Sequence, residues 1–336
     1  MNASRENPVY SIYIQSGSYK FNLTPIYQSL SFSDREKQMS KSAEFDIIDI
    51  NVNHERKILS KILKVGDPVW IYADDGERNE EVWRGTVWTW SYAYNSDEHI
   101  ITLKCYDNLI YFQESEESEY FSAGKSTETI VRSLCNKWGV GLEYTYSSIT
   151  HSKLALRGTL SDIFTDDILD TVKKQIGKKY VILSEKGVMK VKHVGDNATI
   201  YKIHAGDNAS SIGVQWTMDG VISKVVILGK ADDNDRRPVE ATVEGDVANV
   251  GTLQKLMNRD ENTSLEAAKA EAQSIINEKG APWWEMAVTA PDIPWIRKGD
   301  KIHVKGGGLD EYFIVWGIDR DISRKKKTMT LTFKFE

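Results

Sequence analysis

Apolar and polar residues alternate in short runs over the first third of the chain. This period of two is typical of β-strands that bury one face and leave the other polar. Many of the runs are rich in Trp, Tyr, Val and Ile, which favour strands. The sequence therefore predicts a meander of antiparallel hairpins, with strands over 9–14, 45–52, 69–72, 82–94 and 99–106.

The middle of the chain changes to a helical period. Four apolar residues are spaced to share one helix face: Ile130, Val131, Leu134 and Trp138. The pattern places this helix over 126–138, and we take Thr127 as its N-terminal cap. A second helical period covers 161–176 and ends at Gly177, and a hairpin over 179–191 follows. Together these patterns predict a small α+β insert.

Strand patterns return in the last third of the chain, together with one helix. The run over 221–228 predicts a strand. Residues 264–279 are rich in Ala, Glu and Lys, which favour a helix, and Ser264 is a suitable cap.

The two ends of the chain resemble each other. The pair Gly66-Asp67 near the start and the pair Gly299-Asp300 near the end each precede a short alternating strand. In each copy a long strand and then a final strand follow: 82–88 and 100–106 in the first, 312–318 and 328–335 in the second. We single out these four turn residues as the structural markers of an internal repeat.

A true duplication predicts a mainly β fold with two small β-barrels, over 1–112 and 206–336, on either side of an α+β insert over 113–205. Closed barrels would also hide edge strands, which otherwise invite aggregation. The alternative is coincidence, because any antiparallel meander contains turns and Thr-rich strands of this kind.

Four stretches, taken in order, resemble the baseplate hubs of contractile phage tails and phage-tail-like particles. This group includes late control protein D, PBSX-type tail hubs and the hub portion of type VI secretion spike proteins. The stretches are the Gly66-Asp67 turn with the strand over 83–90, residues 105–112 with the helix near Thr127, residues 177–187, and residues 251–300. Each stretch is weak alone, but their order is specific and spans most of the chain.

The resemblance implies a fold with two barrels related to the tail-tube subunit, and a structural role as a homotrimer. Three copies would present six barrels, adapt a three-fold spike to a six-fold tube and nucleate tube assembly. The implied partners are the spike, tube, baseplate-wedge and tape-measure proteins of a phage, defective prophage or bacteriocin particle. Because the chain stops at Glu336 after its last strand, we expect the spike to be a separate protein.

Composition agrees with a structural role. The formal net charge is −6 and Lys and Arg are scattered, so there is no basic footprint for nucleic acid. The start of the chain lacks a basic segment followed by an apolar run, and no stretch approaches the roughly 20 apolar residues of a membrane span. We expect synthesis in the cytoplasm and assembly into a tail, with Cys105 and Cys135 as reduced core residues.

No group of residues predicts catalysis, a metal or a cofactor. The six histidines are dispersed and none has the spacing of a zinc helix. Asp166 and Asp167 could suggest a carboxylate pair for glycan cleavage, but neighbours on a helix diverge, and a solvated helix face is the favoured interpretation. We therefore expect the protein not to be an enzyme.

Tryptophans leave one alternative open. Trp283-Trp284 and the series Trp83, Trp88 and Trp90 could form a platform for cell-wall glycans. Along the predicted strand, Trp88 and Trp90 share one face and Trp83 lies on the other, which instead suggests core on one face and an interface on the other. The competing function is a tail component that binds glycans or degrades peptidoglycan.

Overall fold

The computed structural model describes residues 8–36, 38–52, 57–94, 99–231, 236–259, 263–323 and 325–334. Phe335, at the end of the predicted last strand, lies outside these residues. The chain forms two compact units, one of residues 1–212 with 287–333 and one of residues 213–286 with 334–336. The mainly β fold class predicted from the sequence is confirmed.

The first third of the chain is built of strands and one 3₁₀ turn, because its alternating apolar residues point to one side of each strand. The elements are β1 (Val9–Ser16), β2 (Tyr19–Asn22), β3 (Tyr27–Arg35), β4 (Ser42–Ile48), β5 (Asn51–Val52), β6 (Lys57–Ile58), a 3₁₀ turn (Leu59–Lys61), β7 (Pro68–Asp74), β8 (Asn79–Tyr94) and β9 (His99–Tyr106). Five of them pair in the order β7-β8-β9-β4-β3, which we call the first strand set; β1 and then β2 continue the sheet beyond β7.

The predicted faces of the tryptophans in β8 are wrong. Trp83 is buried, Trp90 is partly buried, and both pack against the same core. The register of β8 against β9 shifts between Val87 and Thr89, so Trp88 forms a bulge and is exposed. The bulge adds one residue to the strand, which reverses the face of every later side chain.

The insert holds short strands and helices around a core of its own. Its elements are α1 (Ile110–Gln113), β10 (Glu116–Phe121), α2 (Thr127–Lys137), β11 (Gly141–Tyr144), β12 (Leu154–Thr159), a helix of three consecutive segments, α3 (Leu160–Asp162), a π-helical segment (Ile163–Leu169) and α4 (Asp170–Ile176), then β13 (Tyr180–Glu185) and β14 (Val188–His193). Both predicted helices and the hairpin are present. The cap of α2 is Ser126, whose hydroxyl accepts from the Thr129 N–H at 3.2 Å, and not Thr127.

A second strand set repeats the order of the first. It is formed by β16 (Ser211–Thr217), β20 (Trp283–Pro291), β21 (Lys301–Gly306), β22 (Leu309–Ser323) and β23 (Lys327–Lys334), paired as β21-β22-β23-β20-β16, with β15 (Lys202–His204) beside β21. The two sets are joined by seven antiparallel residue pairs between β3 and β22, from Arg35 opposite Gly317 to Ser29 opposite Ser323.

Residues 213–286 contain a small α/β element. Its parts are β17 (Lys224–Leu228), β18 (Val239–Glu244), α5 (Val247–Val250), β19 (Gln254–Asn258) and α6 (Leu265–Lys279), with the strand order β18-β17-β19. Ala268, Ala272 and Ile276 of α6 pack against Val225 and Ile227 of β17. The predicted helix and its Ser264 cap are therefore present. The division into barrels over 1–112 and 206–336 stays a prediction.

Candidate functional site at the junction of the strand sets

The first Gly-Asp pair forms a clamp on strand β8. Gly66 has φ +90° and its N–H donates to the Val87 carbonyl at 2.8 Å. The Val87 N–H donates to the Asp67 carbonyl at 2.9 Å, and one Asp67 carboxylate oxygen accepts from the Lys64 N–H at 2.8 Å. The turn therefore closes on itself and holds β8 next to its bulge.

The second Gly-Asp pair makes the same set of bonds with β22. Gly299 has φ +85° and donates to the Val315 carbonyl at 2.7 Å, while the Val315 N–H donates to the Asp300 carbonyl at 2.9 Å. The Asp300 carboxylate accepts from the Arg297 N–H at 2.8 Å. The register of β22 against β23 also shifts after Val315, so Trp316 occupies the bulge that Trp88 occupies in β8.

The two clamps differ in what covers them. Nothing lies within 4 Å of the position that a Cβ would take at Gly66, whereas at Gly299 the same position is 2.6 Å from a methyl group of Val181 in the insert. Lys192 of the insert also lies 3.5 Å from the Asp300 carboxylate. Burial raises the pKa of Asp300, although Lys192 and Arg297 oppose this effect. Among the described residues, the insert thus packs against Gly299 of the second clamp, whereas the corresponding position at Gly66 is open.

Residues 292–300, which we call the joint segment, connect β20 to β21 and carry buried polar bonds to both strand sets. Asp292 accepts from the Arg320 guanidinium at 2.8 Å on one oxygen and from the Tyr10 hydroxyl on the other. Arg320 also donates to the carbonyls of Ile293 and Ile296 at 3.1 and 2.8 Å. Burial, and then the charge of Asp292, raise the pKa of Tyr10 well above its usual value.

Lys298 is a second anchor of the joint segment. Its ammonium lies 2.7 Å from the Asp34 carboxylate and donates to the carbonyls of Arg35 and Gln38 at 3.1 and 2.9 Å. The charge is therefore compensated although the side chain is buried. Because Asp34 and Arg35 belong to β3, this lysine ties the joint segment to the first strand set.

Trp295 is a third anchor. Its indole N–H donates to the Asp75 carboxylate at 2.5 Å, and the Arg78 guanidinium lies 5.6 Å from the ring centre. Both partners lie in the loop between β7 and β8. The joint segment is thus held at three places, by Tyr10 of β1, Asp34 of β3 and Asp75 of the loop between β7 and β8.

Sequence reasoning missed this network, although one signal was present. Arg320 lies between Ile318 and Ile322 in β22, on the face that those two residues bury. A charged residue on the buried face of a strand requires a partner in the fold. Its partner could not be named, because Asp292 lies 28 positions away in the chain, on a segment between two other strands.

Two more buried ionisable residues lie beside the junction. The Asp107 carboxylate accepts from the backbone N–H groups of Lys41 and Leu109, both at 3.0 Å. Burial raises the pKa of Asp107 to about 6, and burial followed by the charge of Arg297 lowers the pKa of Lys41 to about 8. The charges of Asp34 and Asp107 favour protonated Lys41, while Arg297 and Arg320 oppose it.

Lys41→Met should remove a pH dependence of stability. Between about pH 8 and 10.5 the unfolded chain keeps a proton on Lys41 that the folded chain has lost, so the free energy of unfolding rises with pH through this residue. The free energy of unfolding of the wild type should therefore rise by up to about 3 kcal/mol relative to that of Lys41→Met across this window. Urea unfolding at a series of pH values measures the difference. The exposed Lys61→Met is the control, and parallel profiles for wild type and Lys41→Met would refute the prediction.

Asp166 and Asp167 are both exposed on the π-helical segment. In the described ranges, no three His, Cys, Asp or Glu side chains are placed to hold a metal ion. Of the described helices, none is long and apolar enough to cross a membrane. Cys105 and Cys135 are free and buried, as predicted.

A cleft of about 290 Å³ lies between β8 and the insert, but its carboxylates are engaged in ion pairs. Lys190 pairs with Glu143 at 2.9 Å and with Glu185 at 3.1 Å. Lys186 pairs with Glu80 at 3.3 Å. Of these pairs, Lys186–Glu80 joins the insert to β8, whereas the two pairs of Lys190 lie within the insert.

The tryptophans considered as an alternative glycan platform are arranged as follows. Trp284 stacks on Trp216, with ring centres 5.7 Å apart and planes 17° apart, and both are exposed. Trp283 donates to the Asp219 carbonyl at 2.9 Å and lies under the ammonium of Lys334. The exposed pair of tryptophans, Trp216 and Trp284, is therefore formed by β16 and β20 together.

The chain belongs to the YQBQ-like family, whose model matches residues 30–334. The phage-like element PBSX protein XkdQ of Bacillus subtilis strain 168 is 22% identical over 283 residues, which cover 80% of this chain and 85% of that protein. The resemblance to PBSX-type proteins inferred from the sequence is thereby confirmed.

Two solved structures share the fold over nearly the whole chain. A tail protein from Neisseria meningitidis MC58 matches with a TM-score of 0.69 and 13% identity, over 97% of this chain and 97% of that chain. The 43 kDa tail protein of prophage MuSo2 from Shewanella oneidensis matches with a TM-score of 0.68 and 15% identity, over 96% and 98% of the two chains. At such low sequence identities, these two matches show a shared fold and nothing more.

Proposed function

We propose that this protein is a structural component of a phage-type tail, acting as the hub of its baseplate and catalysing no reaction. The observation that carries the proposal is the internal repeat. Two Gly-Asp clamps with matching bonds act on two Val-Trp bulges, within two strand sets of the same order. Membership of the YQBQ-like family and the PBSX relative support a tail context.

The repeat suggests how the protein would match two symmetries. If each strand set stands for one tube-like barrel, three copies present six barrels in a ring. One face of such a ring fits a six-fold tube and the other a three-fold spike. Rings of this kind arise from head-to-tail contacts whose rotation closes. The proposed partners are therefore further copies of this chain, the spike and the tube, with wedge and tape-measure proteins around them.

The joint segment supports the role of a rigid adapter. The β3–β22 pairing and the buried bonds of Asp292, Arg320 and Lys298 connect the two strand sets directly. Buried charged groups tolerate little change of geometry, because an unpaired buried charge is costly. A fixed angle between the two sets is what a ring of six barrels needs.

The stoichiometry of the assembled baseplate tests the hub proposal. We expect three copies of this chain per baseplate, each presenting two barrels to the first ring of the tube. Quantitative mass spectrometry of purified particles, with the tube and spike proteins as internal references, measures the ratio. Six copies per baseplate would contradict the adapter mechanism.

The absence of catalysis has a test of its own. We expect no clearing when the purified protein is run in a gel that contains peptidoglycan, because Asp166 and Asp167 are solvated and the carboxylates of the cleft are paired. A lysozyme lane shows that the gel reports cleavage. Lysis by this protein would favour the competing function, a peptidoglycan-degrading tail component.

A further inference from the structure

One side of strand β22 is covered along its whole length. Strand β21 pairs with its first part, Leu309–Ile314. Strand β3 pairs with its second part, from Gly317 to Ser323. Strand β23 occupies the other side. The contact with β3 is the one that joins the two strand sets within the chain.

The corresponding side of β8 is covered only over its first part. Strand β7 pairs with residues 79–86, and β9 occupies the other side over 86–94. From Thr89 to Tyr94, no strand among the described residues pairs on the side of β7. When the two bulges are aligned, this open edge corresponds to residues 317–322 of β22, which β3 covers.

Burial follows this difference. On the covered strand three residues of one face are buried: Ile318, Arg320 and Ile322. Their counterparts on β8 are Trp90, which is partly buried, and Tyr92 and Tyr94, which are exposed. An open strand edge that carries exposed aromatic residues favours pairing with another strand.

The repeat also identifies the strand that is missing from the open edge. In the strand order, the counterpart of β3 is β16. Strand β3 already pairs with β22 of its own chain, whereas β16 lies at the outer edge of the sheet. It exposes Val214 and Trp216, so its surface matches the aromatic surface of the β8 edge.

We propose that strand β16 of one copy adds to the open edge of β8 in the next copy, as β3 adds to β22 within the chain. The inference rests on the proposed function and deepens it, because it names the contact that closes the ring. The contact is heterologous: each copy offers β16 on one side and the β8 edge on the other. Three copies then form three equal contacts and leave neither edge open.

Cysteine cross-linking in assembled particles tests the contact. One cysteine is placed in the β8 edge and one in β16, and every combination is oxidised mildly and run without reducing agent. A disulfide requires Cα atoms about 4.4–6.8 Å apart, so only strands that pair directly can react. The exposed positions to combine are Thr89, Ser91 and Ala93 with Gly213, Val214, Gln215 and Trp216.

The native thiols do not interfere, because Cys105 and Cys135 are buried and burial raises the pKa of both, that of Cys135 to about 12. We expect at least one combination to give covalent dimers and trimers of this chain and nothing larger. Each single-cysteine variant should stay monomeric on the gel. Cross-linking of a single-cysteine variant to itself, or no cross-linking in any combination, would overturn the proposal.

Charge substitutions provide an independent test with matched controls. Tyr94→Glu and Val214→Glu should each lower the yield of assembled particles by about tenfold or more, since each introduces a charge into the contact. The controls are Tyr120→Glu and Val239→Glu. Tyr120 is 61% exposed against 68% for Tyr94, and Val239 is 63% exposed against 51% for Val214, but both lie on other strands.

The outcomes separate this inference from the hub proposal. Equal losses in variants and controls would overturn the β8–β16 contact, as would cross-links from β8 to a different tail protein. Three copies per baseplate without β8–β16 cross-links would leave the hub proposal standing and refute the contact. Six copies per baseplate with β8–β16 cross-links would refute the three-copy hub and keep the contact.

Discussion

Arg320→Ala should destabilise the protein by about 3–5 kcal/mol, the cost of breaking a buried ion pair from one side. The Arg320 and Asp292 side chains are 7% and 0% exposed, so the variant leaves the Asp292 carboxylate buried without its cation. It also removes the hydrogen bonds that the Arg320 guanidinium donates to the carbonyls of Ile293 and Ile296. The midpoint and slope of urea unfolding, followed by tryptophan fluorescence, measure the loss.

A second arginine provides the matched control. Arg35 lies 3.4 Å from Asp319, and the two side chains are 63% and 44% exposed. Arg35→Ala should cost less than about 1 kcal/mol, because water screens an exposed pair. Equal losses in Arg320→Ala and Arg35→Ala would show that the joint segment does not depend on its buried charge pair.

Gly299→Ala should destabilise the protein far more than Gly66→Ala. Both glycines have a positive φ, so any Cβ costs about 1–2 kcal/mol at either position. At Gly299 the new Cβ would also lie 2.6 Å from a Val181 methyl group, which adds about 1–3 kcal/mol of overpacking. Urea unfolding of the two variants gives the comparison.

A double variant separates the two costs at Gly299. Val181→Ala removes the two methyl groups that the new Cβ would meet but keeps the Val181 Cβ, 2.9 Å away, so combining it with Gly299→Ala should recover part of the overpacking cost and none of the backbone cost. The coupling energy of this cycle measures the packing of the insert on the second clamp. Additive losses would mean that Val181 and Gly299 are not in contact.

The likeness of the two clamps could be found in the sequence because it is local. Gly at a positive φ followed by a carboxylate that accepts a nearby backbone N–H is specified by three or four consecutive residues. The alternation of apolar residues likewise predicts strands, and the helix over 264–279 was located with its cap. Patterns of this kind need no knowledge of the rest of the chain.

Other features depend on partners that lie far apart in the chain. The bulge at Trp88 reverses the predicted faces of β8, since one added residue leaves no trace in the alternation before it. The chain also forms a small α/β element from β17 to α6, in the stretch of sequence between β16 and β20. Neither feature follows from local preference, because both are decided by which strands pair.

The amino-acid pattern alone was enough for many of the strands, the three long helices, the two Gly-Asp turns and the family, because each rests on short-range periodicity or on the order of motifs. The tertiary structure decided that β3 pairs with β22, that Arg320 meets Asp292 and Tyr10, and that the edge of β8 stays open. These contacts join residues that lie far apart in the chain, such as Tyr10 and Asp292, which are 282 positions apart. Their selection depends on the closure of the whole sheet, which no local segment encodes.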